Sequence, residues 1–263
     1  MNAPVYLDFN ATTPVAPEVL EEMLPYLREH FGNPSSAHSL GRRASEAVAE
    51  ARARIAALLG ARPGEIVFTG CATEASNLAL IGAALAMPPG KRHLVVSAVE
   101  HPAVMAPAQQ LRKQGWELTV VPVDGTGRVS VQSVVDALRA DTALVSVMHA
   151  NNEVGTLQPI EAIAELTRRR GILLHTDAAQ SIGKVALAVD ALGVDLLSVA
   201  GHKFYAPQRS GCFVRSHWHT PARGTVRRRA GTRPASRDGK RRRDCRSWGR
   251  GCAGTAVPAS TQR

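Results

Sequence analysis

Short apolar segments alternate with helical segments along the first three-quarters of the chain, and this alternation constrains the fold more than any other feature. Short buried strands separated by helices are typical of a mostly parallel sheet with helices on both faces, which is the fold class we predict. The predicted strands are residues 65–69, 94–98, 118–122, 144–148, 172–176 and 194–200. The predicted helices are residues 17–28, 39–59, 103–113, 131–139 and 160–170, and one more that opens at 70–74 and ends near 86.

Polar side chains follow five of these strands, at or just after the point where each strand ends. They are Thr73, His101, Asn152, the pair Asp177 and Gln180, and the pair His202 and Lys203. In open α/β sheets, ligands bind at the carboxyl ends of the strands. A lone histidine or an Asn-Asn pair has an ordinary structural explanation, but five strand ends that converge on one region predict a binding site.

Lys203 is the residue in this set that packing explains least well. It follows the apolar run 194–200 directly after His202. Burial disfavours a charged lysine, so a lysine at this place costs free energy unless the neutral amine is used. A carbonyl cofactor uses such an amine by forming a Schiff base.

The neighbouring residue types fit pyridoxal 5′-phosphate. The helix that opens at residues 70–73 offers backbone N–H groups to a phosphate, and Thr73 as an ordinary helix cap is compatible with that role. Asp177 suits the pyridinium nitrogen or, alternatively, a helix cap. His101 suits stacking and proton transfer or a structural contact beside Pro102. Gln180 and Asn152 suit the ring oxygen and substituents or a loop contact.

The charge of the chain is concentrated at its carboxyl end. Residues 1–203 carry 17 Lys and Arg against 20 Asp and Glu, whereas the last 60 carry 15 against 2. Residues 208–263 contain no Leu or Ile, so we expect a basic, disordered tail after a domain that spans residues 1–207. The tail raises nucleic-acid binding as a function from another class, but it shows no such motif and we rank that alternative last.

The four cysteines predict neither a metal site nor a disulfide framework. Cys71, Cys212, Cys245 and Cys252 form no CxxC pair. The first residues show no basic region followed by a long apolar stretch, and no apolar run has the length of a membrane span. We therefore expect a cytoplasmic protein.

Seven stretches of the chain resemble one enzyme family, in order and without a large gap. They are residues 6–14 (YLDFNATTP), 31–38 (FGNPSSAH), 72–77 (ATEASN), 100–104 (EHPAV), 148–156 (MHANNEVGT), 175–180 (HTDAAQ) and 201–204 (GHKF). They resemble the cysteine desulfurases of the NifS/IscS type, which belong to the class V aminotransferases among the fold-type I pyridoxal-phosphate enzymes.

The resemblance implies a role for each candidate residue. Lys203 would carry the cofactor and move the substrate's α-proton, His101 would stack on the ring, Asp177 would pair with the ring nitrogen, and Gln180 and Asn152 would contact the ring. The phosphate cup would comprise Ala72, Thr73 and His202, and Ala200 and Gly201 would be further cofactor-binding positions. L-cysteine would yield alanine and an enzyme persulfide, whose sulfur would pass to an acceptor or to an iron–sulfur cluster scaffold. The resemblance also implies a homodimer.

The sequence departs from the family at two places. Ala200 stands where the family commonly has a phosphate-binding serine, and Ser198 lies one strand repeat away. After Pro207 the match fails, apart from a faint similarity at residues 211–215, and the family's acceptor cysteine has no counterpart. We hypothesise a change of reading frame near Gln208 and expect impaired desulfuration by a truncated enzyme. Selenocysteine lyase or another class V activity remains the alternative.

Overall fold

The computed structural model describes residues 4–216, and in this part of the chain it contains seven helices and seven strands. The helices are α1 Pro17–Arg28, α2 Ser39–Leu58, α3 Ala72–Ala86, α4 Pro102–Lys113, α5 Val131–Ala137, α6 Ile160–Arg169 and α7 Val189–Leu192. The strands are β1 Ile66–Thr69, β2 His93–Ser97, β3 Glu117–Val121, β4 Thr142–Ser146, β5 Leu173–Asp177, β6 Leu196–Ala200 and β7 Gly211–Arg215. Two 3-10 turns cover Pro63–Glu65 and Gly201–Lys203.

The strands form one sheet in the order β1-β7-β6-β5-β4-β2-β3. β7 runs antiparallel to both of its neighbours, and the other pairs are parallel. The remaining six strands therefore run in the same direction, and their carboxyl ends lie along one edge of the sheet. The predicted fold class, a mostly parallel sheet with helices on both faces, is confirmed.

The hydrophobic core lies in two layers, one on each face of the sheet. Successive strand residues point to opposite faces, so Leu197 joins one layer and Leu196 the other. The Leu197 layer includes Ile163 of α6, and the Leu196 layer includes Leu80 of α3 and Val104 of α4. Both faces of the central strands are thus covered by apolar contacts, which explains their continuous apolar sequences.

Strand β7 is an element that the sequence analysis did not predict, because residues 211–215 showed only a faint similarity to a strand of the family. The strand lies between β6 and β1, and its residues Cys212, Phe213 and Val214 are buried. A β-carbon on Gly211 would lie 2.7 Å from the carbonyl carbon of Cys71, so only glycine allows this close approach to the start of α3. The burial of these residues depends on both neighbouring strands, which the local sequence does not show.

The other predicted elements agree with the structure to within a few residues. Helix α1 has the predicted bounds, and β5 begins and ends one residue later than predicted. The short α7 was not predicted. Among the helices between residues 4 and 216, none combines the length and apolarity needed to cross a membrane.

Residues 1–3 and 217–263 lie outside the described part of the chain. The disorder predicted for the tail therefore stays a prediction, as does the division of the chain at residue 207. Cys245 and Cys252 also fall outside the described residues.

Candidate active site

Nine of the ten predicted site residues line one cavity of about 620 Å³ at the carboxyl edge of the sheet. They are Ala72, Thr73, His101, Asn152, Asp177, Gln180, Ala200, His202 and Lys203. Gly201 is the exception, because it is buried and does not line the cavity. A β-carbon on Gly201 would lie 2.2 Å from Ser210 Oγ, so this glycine allows the chain to pass close beneath the cavity.

Lys203 ends the 3-10 turn that follows β6, and its side chain is half-buried. Desolvation lowers the pKa of Lys203, and the nearby cation of Lys184 lowers it further. The carboxylate of Asp177 acts in the opposite direction. The net lowering increases the fraction of neutral, nucleophilic amine at neutral pH.

Asp177 is the last residue of β5, and only 4% of it is exposed. Its Oδ1 accepts a hydrogen bond from the backbone N–H of Ala179 at 2.9 Å. Burial raises the pKa of Asp177, while that hydrogen bond and the neighbouring His101 and Lys203 lower it. The site therefore holds a buried carboxyl whose anionic form is favoured by two groups able to carry positive charge.

One face of the central strands carries a buried polar cluster next to the cavity residues. Below the cavity, His175 bridges Ser146 Oγ at 2.8 Å and Ser198 Oγ at 3.0 Å. Burial lowers the pKa of His175 to about 3, so the ring is neutral. The next residues on the same face are Asp177 and Ala200, both of which line the cavity. Because Ser198 bonds His175 and does not line the cavity, it does not replace the hydroxyl that Ala200 lacks.

His101 caps helix α4 and also lines the cavity. Its Nδ1 accepts a hydrogen bond from the backbone N–H of Ala103 at 3.0 Å, so the neutral ring carries its proton on Nε2. Partial desolvation lowers the pKa of His101, Asp177 raises it, and Lys203 lowers it. The structural and the functional interpretations of His101 are therefore compatible, because Nδ1 caps the helix while Nε2 carries the proton that the site could use.

The start of helix α3 forms another wall of the cavity. Cys71 is its cap and accepts from the backbone N–H of Glu74 through Sγ at 3.4 Å, so the alternative that Thr73 is the cap was wrong. Ala72 and Thr73 are the first two helical residues, whose N–H groups have no acceptor within the helix. A helix N-terminus with such donors favours an anion.

The Asn151–Asn152 pair combines a turn with a cavity residue. Asn151 Oδ1 accepts from the backbone N–H groups of Glu153 at 2.9 Å and Val154 at 3.0 Å, and this fixes the turn. Asn152 lines the cavity, and its Nδ2 donates to Glu153 Oε1 at 2.8 Å. Asn151 therefore makes the turn, whereas the ring contact predicted for Asn152 stays a prediction that its place in the cavity wall allows.

The N-terminal loop forms part of the site, and the residue-by-residue reasoning missed it. Asn10 lines the cavity, its Nδ2 donates to the carbonyl of Asn152 at 3.2 Å, and its own carbonyl accepts from Gln180 Nε2 at 2.9 Å. Thr13 donates to the carbonyl of His202 through its backbone N–H at 2.8 Å and through Oγ1 at 3.0 Å. The stretch 6–14 that carries the family resemblance was the signal available for this loop.

Glu100 is a second residue that the strand-end argument missed. Its Oε1 accepts from Ser97 Oγ and from the backbone N–H of Met148, both at 2.6 Å, while its buried Oε2 has no hydrogen-bond partner. Burial raises the pKa of Glu100 to about 8, and repulsion from Asp177 acts in the same direction. Glu100 thus ties the end of β2, next to His101, to the end of β4.

The two described cysteines have different environments. Cys212 is buried in β7, and burial raises the pKa of its thiol to about 12, so it is a poor nucleophile. Cys71 is half-buried and lines the cavity.

Comparison with known proteins finds close relatives for most of the chain. Residues 5–214 match the family model described as aminotransferase class-V. The cysteine desulfurase IscS of Dictyoglomus turgidum is 48% identical over 211 residues, which cover 80% of this chain and 54% of that protein. The cysteine desulfurase IscS 1 of Archaeoglobus fulgidus is 46% identical over 206 residues, which cover 78% of this chain and 54% of that protein.

Solved structures agree with these relatives. A NifS-like protein superposes with a TM-score of 0.79 at 40% identity, covering 82% of this chain and 60% of the other. A structure described as SspA in complex with cysteine gives a TM-score of 0.77 at 42% identity, covering 80% of this chain and 60% of the other. The chain spans about half the length of the curated relatives it matches. Over most of its length, the chain belongs to the class V aminotransferase family.

Proposed function

We propose that the chain acts as a pyridoxal-phosphate-dependent cysteine desulfurase, which converts L-cysteine to alanine and passes the sulfur to an acceptor. The observation that carries this proposal is that the Lys203 amine, with its lowered pKa, lines the same cavity as the buried Asp177 and the start of α3. The names of the two curated relatives, and the cysteine in the SspA complex, support the substrate.

The residues present fit the cofactor. The first turn of α3 and His202 would hold the phosphate, while Lys203 would hold the aldehyde carbon covalently. Asp177 would hold the protonated ring nitrogen, Gln180 the ring oxygen, and His101 and Asn152 the ring itself. Bound there, the cofactor supplies an electron sink for cleavage of the substrate's carbon–sulfur bond.

The protein's own groups would orient the reactants and move protons. Asp177, whose carboxyl is oriented by the N–H of Ala179, would accept a hydrogen bond from the ring nitrogen. Lys203 would take and return the substrate's α-proton, because its lowered pKa leaves part of the amine free to accept one. His101 would exchange a proton through Nε2, since its Nδ1 is held by Ala103.

We further propose a homodimer and a sulfur-acceptor or iron–sulfur scaffold protein as partners, on the basis of the family resemblance. Of the two cysteines among the described residues, Cys212 does not suit the persulfide role because burial suppresses its thiolate.

The decisive experiment is to incubate the full chain with pyridoxal phosphate, reduce it with borohydride, and map the adduct by peptide mass spectrometry. We expect a pyridoxyl group on Lys203, its complete loss in Lys203→Ala, and its retention in Lys113→Ala, which removes an exposed lysine at the end of α4. Alanine formation from L-cysteine would then test the substrate. A folded wild-type chain without the adduct would refute the cofactor assignment.

A further inference from the structure

Lys184 lies outside the cavity but contacts a residue that lines it. Its Nζ donates to Gln180 Oε1 at 2.9 Å. Two turns that follow β5 bring Lys184 close to Gln180. The backbone N–H of Ser181 donates to the carbonyl of Ala178, and the backbone N–H of Lys184 donates to the carbonyl of Ser181. The position of Lys184 is therefore fixed relative to Gln180 by the local backbone.

The contact determines which way the Gln180 amide points. A lysine ammonium only donates hydrogen bonds, so the amide oxygen must face Lys184. The amide nitrogen then faces the carbonyl of Asn10, to which Nε2 donates at 2.9 Å. The opposite orientation would place NH₂ against the ammonium and the amide oxygen against the Asn10 carbonyl, so it would lose both hydrogen bonds.

Burial makes this orientation matter. Gln180 is only 7% exposed, so a rotated amide that leaves its polar groups unpaired costs free energy. The amide nitrogen has two N–H groups, and Asn10 takes one of them. The second N–H of the Gln180 amide can therefore donate a hydrogen bond to a group in the cavity.

We propose that Lys184 is a positioning residue that holds Gln180 as a hydrogen-bond donor, and so selects a cavity ligand with an anionic or electron-rich oxygen at that point. The inference rests on the proposed function, under which this oxygen is the ring oxygen of pyridoxal phosphate. Lys184 also acts on the site through charge, because its cation helps to lower the pKa of Lys203.

The test measures the dissociation constant of pyridoxal phosphate by spectroscopic titration and the extent of the borohydride adduct on Lys203. Lys184→Met removes the charge and the donor, and we expect the dissociation constant to rise about fivefold, which corresponds to one net hydrogen bond. Lys184→Arg keeps the charge and the donors and should restore affinity to within about twofold of the wild type. The matched control Lys113→Met should bind like the wild type.

A second variant tests the donor role directly. Gln180→Glu keeps an oxygen for Lys184 but has no N–H for the cavity, so we expect affinity to fall by about tenfold or more because an acceptor replaces a donor. Melting midpoints would show whether each variant folds. If Lys184→Met does not fold, Gln180→Glu tests the donor role of Gln180 in its place.

The outcomes separate the two proposals. A wild-type adduct on Lys203 with unchanged affinity in Lys184→Met or Gln180→Glu would overturn the role of Lys184 and leave the proposed function standing. A folded wild type that forms no adduct would overturn both.

Discussion

The centre of the sheet and the N-terminal region both contribute to the site, but they are held in place by different interactions. Every residue of β4 and β6 is buried, and so are four of the five residues of β5. Helix α1, in contrast, has no buried residue, and its Leu20, Tyr26 and Leu27 are exposed. The centre is held by apolar burial, whereas the N-terminal loop is attached to the cavity rim by hydrogen bonds.

This difference indicates that the central strands and the N-terminal loop contribute differently to stability and to the geometry of the site. Asp177 and Lys203 lie at the ends of strands whose packing fixes them on both faces. Asn10 and Thr13 form hydrogen bonds with three residues that line the cavity, Asn152, Gln180 and His202. We therefore expect substitutions in the sheet to change mainly the free energy of unfolding, and substitutions in the N-terminal loop to change it less while also weakening cofactor binding.

The largest effect should come from a matched pair of leucines. Leu197 is 0% exposed in β6, whereas Leu27 is 69% exposed in α1. We expect Leu197→Ala to lower the free energy of unfolding by about 2–5 kcal/mol and Leu27→Ala by less than about 0.5 kcal/mol. Urea unfolding of both variants checks this, and equal losses would contradict the contrast between the two regions.

Glu100 gives a pH-dependent effect within the centre. Burial, with repulsion from Asp177, raises its pKa from 4.5 to about 8 in the folded chain. Between these pH values the unfolded chain has lost the proton and the folded chain retains it, so the folded state loses stability as the pH rises. Glu100→Gln keeps an acceptor for Ser97 and Met148 but does not titrate.

Between pH 4.5 and 8, the unfolding free energy of the wild type should therefore fall relative to that of Glu100→Gln. The difference should change by up to about 1.4 kcal/mol per pH unit. Below pH 4.5 and above pH 8 the difference should be constant, since Glu100 then has the same protonation state in both forms of the chain. Unfolding curves at several pH values measure the difference. A difference independent of pH would show that Glu100 is ionised in the folded chain.

The smallest effect should come from the N-terminal loop. Thr13 Oγ1 donates to the carbonyl of His202 at 3.0 Å and accepts from the backbone N–H of Tyr205 at 2.8 Å. Thr13→Val keeps the shape and loses both bonds, so we expect a loss of about 1 kcal/mol in stability and a loosened Lys203 turn that binds pyridoxal phosphate a few-fold more weakly. Thr13→Ser, which keeps the hydroxyl, is the control. If Thr13→Val binds like the wild type, the loop does not position the turn.

Much of the fold could be predicted from local patterns. Helix α1 was predicted with the correct bounds because Pro17 marks its first turn and its apolar residues recur at helical spacing. Strand β5 was shifted by one residue, because an apolar run does not show where the pairing with β4 and β6 begins. Strand β7 was missed because its burial is created by β1 and β6, which lie on either side of it.

The residues of the candidate site also divide into those that local sequence patterns reveal and those that depend on distant contacts. Lys203, Asp177 and His101 could be found because each follows a predicted strand, and the ends of parallel strands share one edge. Glu100 could not be found in this way, because it accepts a hydrogen bond from the backbone of Met148, a partner 48 residues away. The role of Asn10 toward Gln180 likewise depends on a contact across 170 residues.

The sequence by itself determined the order of helices and strands and the polar residues that end the strands, since both follow from local propensity and periodicity. Only the tertiary structure decided which amide faces which carbonyl, which carboxyl is desolvated, and which amine has its pKa lowered. Those properties arise from groups brought together from distant parts of the chain, and the strength of each interaction depends on how much water the surrounding packing excludes.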